Sequence, residues 1–280
     1  MSDMQFTKIK YFIRNWFVPP AFYNLLINRP VETKAVNEFL EETKIVKGRH
    51  LGKRCFILGG GSSVKQQDLK KLKGEFVISV SNTYVHRDYP MFKPKYHVLP
   101  HIMKGHSVYY SEEKFVEWLK DMDERIFDAE IFLHLGDKEM IDRNGIFNKR
   151  KIHWIEYCEW NGDFNKAIDP AAIPGVWSVS ELALTMAVYM GFEKIYLLGF
   201  DHDWFNGPLV YFYDKKTEHK MELDDKTLSF ADAEFQMNRH AYIFKKYKYL
   251  YAMKRNIYNA NADPNSYVDV FPKVDYNSLF

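Results

Sequence analysis

From Lys53 onward, short apolar runs of strand length alternate with longer stretches of helical spacing. The runs are Arg54 to Leu58, Glu75 to Val80, Tyr96 to Leu99, Glu130 to His134, Ile152 to Ile155, Lys194 to Leu198 and Asn256 to Tyr258. Such alternation predicts an α/β fold, a doubly wound and mostly parallel sheet with helices on both faces. In that architecture ligands sit outside the carboxyl ends of the strands, at the crevice where strand order reverses. The residues that follow each strand are therefore the ones to read for chemistry.

The start of the chain follows a different pattern. Phe6, Ile9, Phe12, Ile13, Trp16 and Phe17 recur near helical spacing with Lys8, Lys10 and Arg14 between them. This predicts a basic amphipathic helix broken at Pro19-Pro20. Its apolar runs fall short of the roughly 20 residues that a spanning helix needs. Two readings stand: peripheral membrane contact through residues 4–29 at an anionic interface, or packing on the domain or in a homo-oligomer interface. Glu32 to Lys47 reads as a polar helix that ends at Gly48. The predicted organisation is residues 1–50 as amphipathic helix and spacer, and residues 51–280 as a single main domain.

Composition narrows the partners more than it narrows the chemistry. With 46% apolar and 27% charged residues the chain buries a core, which excludes a disordered or low-complexity protein. Thirty-nine Lys and Arg against 37 Asp and Glu leave a net charge of +2, so no cationic excess points to nucleic acid. Cys55 and Cys158 are too few for a disulfide framework or for a zinc site of their own. No secretory signal is legible at the start, and the expected location is cytoplasmic. Nineteen Tyr and 22 Phe make the chain rich in rings, for core packing or for stacking on flat ligands.

After the first strand comes Gly59-Gly60-Gly61-Ser62-Ser63, followed by a predicted helix from about Val64 to Leu72 that stops at Gly74. Glycines admit a ligand close to the backbone, and free N–H groups at a helix start suit a phosphate. The loop is not a Walker motif, since no Gly-Lys-Ser or Gly-Lys-Thr follows. After the second strand, Asn82 in Ser81-Asn82-Thr83 can both donate and accept, which suits a ribose, a base edge or simply a turn. Further on, Ser178 with Glu181 three residues later forms a predicted capping box at the start of a helix within Pro174 to Gly191. The strand Lys194 to Leu198 runs into Gly199-Phe200-Asp201-His202-Asp203-Trp204. Asp201 and Asp203 there read either as an Asp-x-Asp pair holding Mg²⁺ or Mn²⁺, or as a nucleoside contact at Asp201 without metal. Tyr211 and Tyr213 offer phenol donors for a departing phosphate.

In order and spacing these pieces resemble the bacterial sialyltransferases of glycosyltransferase family 42. The resemblance extends to the wider group that includes flagellin-modifying enzymes and archaeal hydroxymethylpterin pyrophosphokinases. It covers residues 53 to about 275. It implies a modified nucleotide-binding, Rossmann-like single domain with a lid-like segment, a CMP-activated donor and no metal requirement. The family's Gly-Asn-Gly-Pro-Ser loop falls on Gly59, Gly60, Gly61, Ser62 and Ser63, and its donor-binding asparagine on Asn82. Its nucleotide-gripping turn falls on Ser178, Val179 and Ser180. Its Gly-Ile-Asp-Phe-Tyr turn falls on Gly199, Phe200, Asp201, His202 and Asp203, so Asp203 stands where the family has a tyrosine. The second phosphate-stabilising tyrosine corresponds to Tyr211 or Tyr213. The general-base histidine corresponds to His219 or His240, in a lid around residues 205–240.

The function expected on this basis is sugar transfer from a nucleotide-sugar donor, of the CMP-sialic acid kind, to a hydroxyl of a glycan or glycolipid acceptor in surface polysaccharide synthesis. His240 is the expected base, with His202 in the strand-end turn as its competitor. No cofactor beyond the donor is expected. The alternatives are a pyrophosphokinase-like enzyme using ATP with a metal at Asp201 and Asp203, and a non-catalytic scaffold of a glycan-assembly complex.

Overall fold

In the computed structural model the described residues are 34–101, 112–158, 168–203, 210–213, 230–263, 266 and 268–280. The predicted helix at 4–29, His219 and most of the predicted lid lie outside them. Seven strands form one sheet: β1 (Arg54–Leu58), β2 (Phe76–Val80), β3 (Tyr96–Val98), β4 (Glu130–His134), β5 (Ile152–Ile155), β8 (Lys194–Leu198) and β9 (Ile257–Asn259). A two-stranded pair, β6 (Tyr157–Cys158) with β7 (Ile173–Pro174), stands apart from it. The order is β5-β4-β3-β2-β1-β8-β9, and every pairing is parallel.

Alternation along the central strands divides the sheet between two cores. In β1, Cys55 and Ile57 join one apolar cluster, and Phe56 and Leu58 join the other. In β8, Ile195 and Leu197 face the first cluster while Tyr196 and Leu198 face the second. Both faces are covered, as an all-parallel sheet requires. The first face packs against α5 (Val179–Tyr189) and α6 (Phe230–Met253). The second packs against α2 (Tyr89–Phe92), α3 (Glu112–Arg125) and one-turn helices. This is a doubly wound, Rossmann-like α/β fold. Two further helices stand among the described residues, α1 (Lys34–Lys44) and α4 (Lys138–Asn144), and α1 is tied to β5 by Thr43 Oγ1 donating to Trp154 O at 2.6 Å.

The expected helix at 64–72 is replaced by two separate 3₁₀ turns, Ser62–Gln66 and Leu69–Leu72. Asp68 is the reason: its side chain accepts from Lys70 N and caps a new turn, while Gln67 takes an extended conformation that stops the first. With no α-helix after β1, no helix macrodipole stands behind the glycine loop. Among the described residues, no helix is long and apolar enough to cross a membrane.

Candidate functional site: the switch-point crevice

The chain winds outward from β1 through β2, β3, β4 and β5, then returns to place β8 on the other side of β1. The reversal of strand order thus falls between β1 and β8, whose ends carry Gly59–Ser63 and Gly199–Asp203. These two loops are bonded to one another. Gly59 N donates to Leu198 O at 2.7 Å, and Gly61 N to Gly199 O at 3.0 Å. Asp201, only 4% exposed, accepts from Ser63 N at 2.9 Å and from Ser63 Oγ at 2.5 Å, with Ser62 Oγ at 3.5 Å. A Cβ at Gly61 would stand inside the Asp201 carboxylate, so the third glycine of the run is required by this clamp. Burial raises the Asp201 pKa against the opposing effect of the Ser63 hydrogen bonds.

The clamp revises one expectation. The amide of Ser63, read from the sequence as a phosphate donor, is taken by a carboxylate of the same chain. Both Asp201 oxygens are also occupied, so Asp201 links the two loops instead of reaching into solvent.

Tyr211 and Tyr213 lie against the glycine loop. Tyr211 forms an antiparallel bridge to Gly61, Phe212 N donates to Gly60 O at 3.1 Å, and the two tyrosine rings stack at 5.1 Å. The segment 210–213 therefore lies directly on the glycine loop.

His202 and His240 are brought together, with ring centroids 5.6 Å apart and edge to face. His202 shares a hydrogen bond with Tyr247 OH at 3.0 Å, and burial pushes its pKa down to about 3. Burial likewise pushes His240 down to about 4. His240 Nδ1 lies 2.9 Å from Gln236 O, and because a carbonyl only accepts, Nδ1 carries the proton and Nε2 is the basic nitrogen. Both rings are neutral at pH 7.

Asn82, at the end of β2, is buried, and its Oδ1 accepts from Trp118 Nε1 at 2.5 Å. Ser178 is the N-cap of α5, its Oγ accepting from Ser180 N at 3.3 Å, with Val179 opening the helix. Glu181 completes the predicted box in altered form: its Oε2 accepts from Trp177 N at 3.3 Å, one residue before the cap. Its other oxygen makes a 2.6 Å ion pair with Lys246, both side chains almost fully buried. Arg239, next to His240, donates twice to Trp177 O and joins α6 to the start of α5.

The tether of the β8 turn was not legible. Asn261 accepts from Phe200 N at 3.0 Å and donates to Phe200 O at 2.7 Å, and Ser266 Oγ donates to the same carbonyl at 3.2 Å. These bonds hold a turn in which His202 has a left-handed φ of 49°. The Asn- and Pro-rich composition of the closing segment was its only signal. A surface depression of about 410 Å³ lined by Lys248, Tyr251, Arg255 and Asp269 lies at the far end of α6 and includes none of these residues.

Fold and site together define a doubly wound Rossmann-like α/β protein whose topological switch point carries two mutually bonded loops. No protein-family model matches the chain, and no curated protein matches it.

Proposed function

We propose that the chain is a sialyltransferase-like glycosyltransferase that binds a nucleotide-sugar donor at the switch point and transfers the sugar to a glycan or glycolipid hydroxyl. The observation that carries this reading is the meeting of the two stacked tyrosines, the glycine loop and a pair of neutral imidazoles at one strand-order reversal. Tyr211 and Tyr213 supply phenolic donors for charge that develops on the leaving phosphate. His240 Nε2 accepts the acceptor hydroxyl's proton, and an anion bound beside it raises its proton affinity from the low value that burial sets. Asp201 and Ser63 hold the two loops in register. The engagement of both Asp201 oxygens by Ser63 gives Asp201 a structural role in the loop clamp that needs no metal, and the nucleotide test below separates the pyrophosphokinase alternative.

The test is thermal unfolding of the full chain with CMP, UDP, GDP and ATP, each with and without Mg²⁺. A ligand bound only by the native state raises the melting point by mass action. CMP is expected to stabilise without Mg²⁺. Indifference to all four nucleotides refutes the reading, and stabilisation by ATP that requires Mg²⁺ replaces it with the kinase reading. Where turnover is found, His240→Ala should lower it by roughly 10²-fold. Full activity in that variant, with loss in His202→Ala, moves the base to the strand-end turn.

A further inference from the structure

Farther along the same edge of the sheet stands a second cluster, built from the ends of β3, β4 and β5. His101 follows β3, His134 ends β4, and Asp137 closes the one-turn helix Leu135–Asp137 that comes next. One ligand atom from each of the three lies within 4.8 Å of the other two, and this is the one such group among the described residues. His101 Nδ1 is 3.0 Å from Asp137 Oδ2, near the separation of about 3.3 Å between two ligands on a tetrahedral zinc ion. His134 and Asp137 are buried, and His101 is largely so.

Three surrounding features fit a bound cation. Glu156 Oε1 sits 2.9 Å from His134 Nε2. A carboxylate on the far nitrogen is the arrangement that orients metal-bound imidazoles and fixes their tautomer. His134 Nε2 then carries the proton and donates it to Glu156, and Nδ1 carries the ring's lone pair. That lone pair accepts from Gly136 N at 3.0 Å, a hydrogen bond that a cation bound there replaces. Gly136 is the second feature: a Cβ there would stand 2.9 Å from His134 Nδ1 and 3.2 Å from His101 Cε1, so the backbone touches both rings where a side chain would block them. The third is Tyr157, whose ring packs on both imidazoles at 4.5 and 6.1 Å, and whose buried hydroxyl makes no well-aligned hydrogen bond among the described residues. The two imidazoles stack with centroids 3.7 Å apart.

We propose that His101, His134 and Asp137 form a binding site for one divalent first-row transition-metal ion of the zinc class, with Glu156 orienting His134 from behind. Two imidazoles and one carboxylate select such an ion over Mg²⁺ or Ca²⁺, which take oxygen ligands. Three protein ligands leave a fourth position for water or substrate. Binding through His101 Nδ1 moves that ring's single proton to Nε2, so that both imidazoles coordinate as neutral ligands. The site does not depend on the nucleotide reading, since it uses none of the same residues.

The experiment uses full-length protein stripped with a chelator and desalted, then titrated with Co²⁺ and followed by visible absorption, with Zn²⁺ as competitor and zinc content measured after dialysis. One equivalent of Co²⁺ with the intense absorption of a low-coordinate site, displaced by Zn²⁺ and not by Mg²⁺, is the expected result. Asp137→Asn and His134→Gln should lose the stoichiometric zinc, and Glu156→Gln should bind it about 10- to 100-fold more weakly. Circular dichroism of each variant identifies loss of fold, and Asp137→Asn preserves shape. His202→Ala should bind zinc as the parent does. Absence of stoichiometric zinc in the parent, or its retention in folded Asp137→Asn and His134→Gln, overturns the proposal.

Discussion

The two ends of the same parallel sheet are built from opposite materials. At the amino edge, charges meet charges. Glu130 accepts from Arg49 at 2.7 Å and His153 at 2.6 Å, with Lys95 at 3.5 Å, while Arg54 grips Glu75 with two nitrogens. At the carboxyl edge stand glycines, stacked or clustered imidazoles and unionised phenols. Of the four described non-glycine residues with left-handed φ, two lie in strand-end turns: Ser81 at 44° directly after β2, and His202 at 49° in the turn after β8. Such conformations cost on the order of 1–3 kcal/mol each and persist only where the surroundings enforce them. The amino edge is arranged for stability, and the carboxyl edge turns its polar groups inward, onto the protein's own loops and neighbouring rings.

The strongest way to break this contrast is through the one fully buried charge pair among the described residues, which lies just beyond the carboxyl edge. Lys246 donates to Pro174 O and pairs with Glu181 in the first turn of α5. Lys246→Met leaves Glu181 buried without its counter-charge, and should cost about 3–5 kcal/mol in urea unfolding. The double variant Glu181→Gln/Lys246→Met should recover much of that loss. At the amino edge, Arg54→Met removes a half-exposed pair and should cost no more than about 1 kcal/mol. Equal losses in the two single variants would erase the distinction.

Acid titration separates His202 and His240 from Glu130 by window. His202 and His240 have folded pKa values pushed down to about 3 and about 4 by burial, below the ordinary 6.5. A group whose pKa is lower when folded gains its proton on unfolding, so its stabilisation is complete above 6.5 and drains as pH falls toward the folded value. Each such histidine removes about 1.4 kcal/mol per pH unit in that range. For Glu130, burial acts upward but is outweighed by His153 and Arg49, which hold its pKa at about 2. Its contribution is complete above 4.5 and is lost between 4.5 and about 2. Denaturant midpoints measured from pH 7 to pH 3 should flatten above pH 4.5 in His202→Gln, and only below pH 4.5 in Glu130→Gln. The smallest expected effect is Ser178→Ala, which removes the cap of α5 for about 1 kcal/mol with both titration windows unchanged.

What the sequence revealed depends on how local each determinant is. All seven strands of the main sheet were legible within one or two residues, because a strand buried on both faces is written as an uninterrupted apolar run. The glycine loop, the Ser178 cap and the turn after β8 were legible as local punctuation. The two turns at 62–72 were not, since Val64, Leu69 and Leu72 imitate a helical face and only the Asp68 cap breaks it. The Asp201 clamp depends on a residue 138 positions away, which no spacing rule anticipates. His101, His134 and Asp137 were missed for the same reason. Each looks like an ordinary polar residue after a strand, and they become neighbours only because β3 pairs with β4.

The 138 residues between Ser63 and Asp201 also set a timetable. At a synthesis rate of about 5–20 residues per second, Asp201 leaves the ribosome roughly 7–28 seconds after Ser63. Throughout that interval β1 can pair with β2 on one side only, and its other flank, meant for β8, is an open edge of Cys55-Phe56-Ile57-Leu58. An open apolar edge recruits other chains. The β1–β8 seam thus closes late, ahead only of the β8–β9 pairing, and conditions that slow translation or crowd nascent chains should lower the yield of native protein without altering the stability of the molecules that finish.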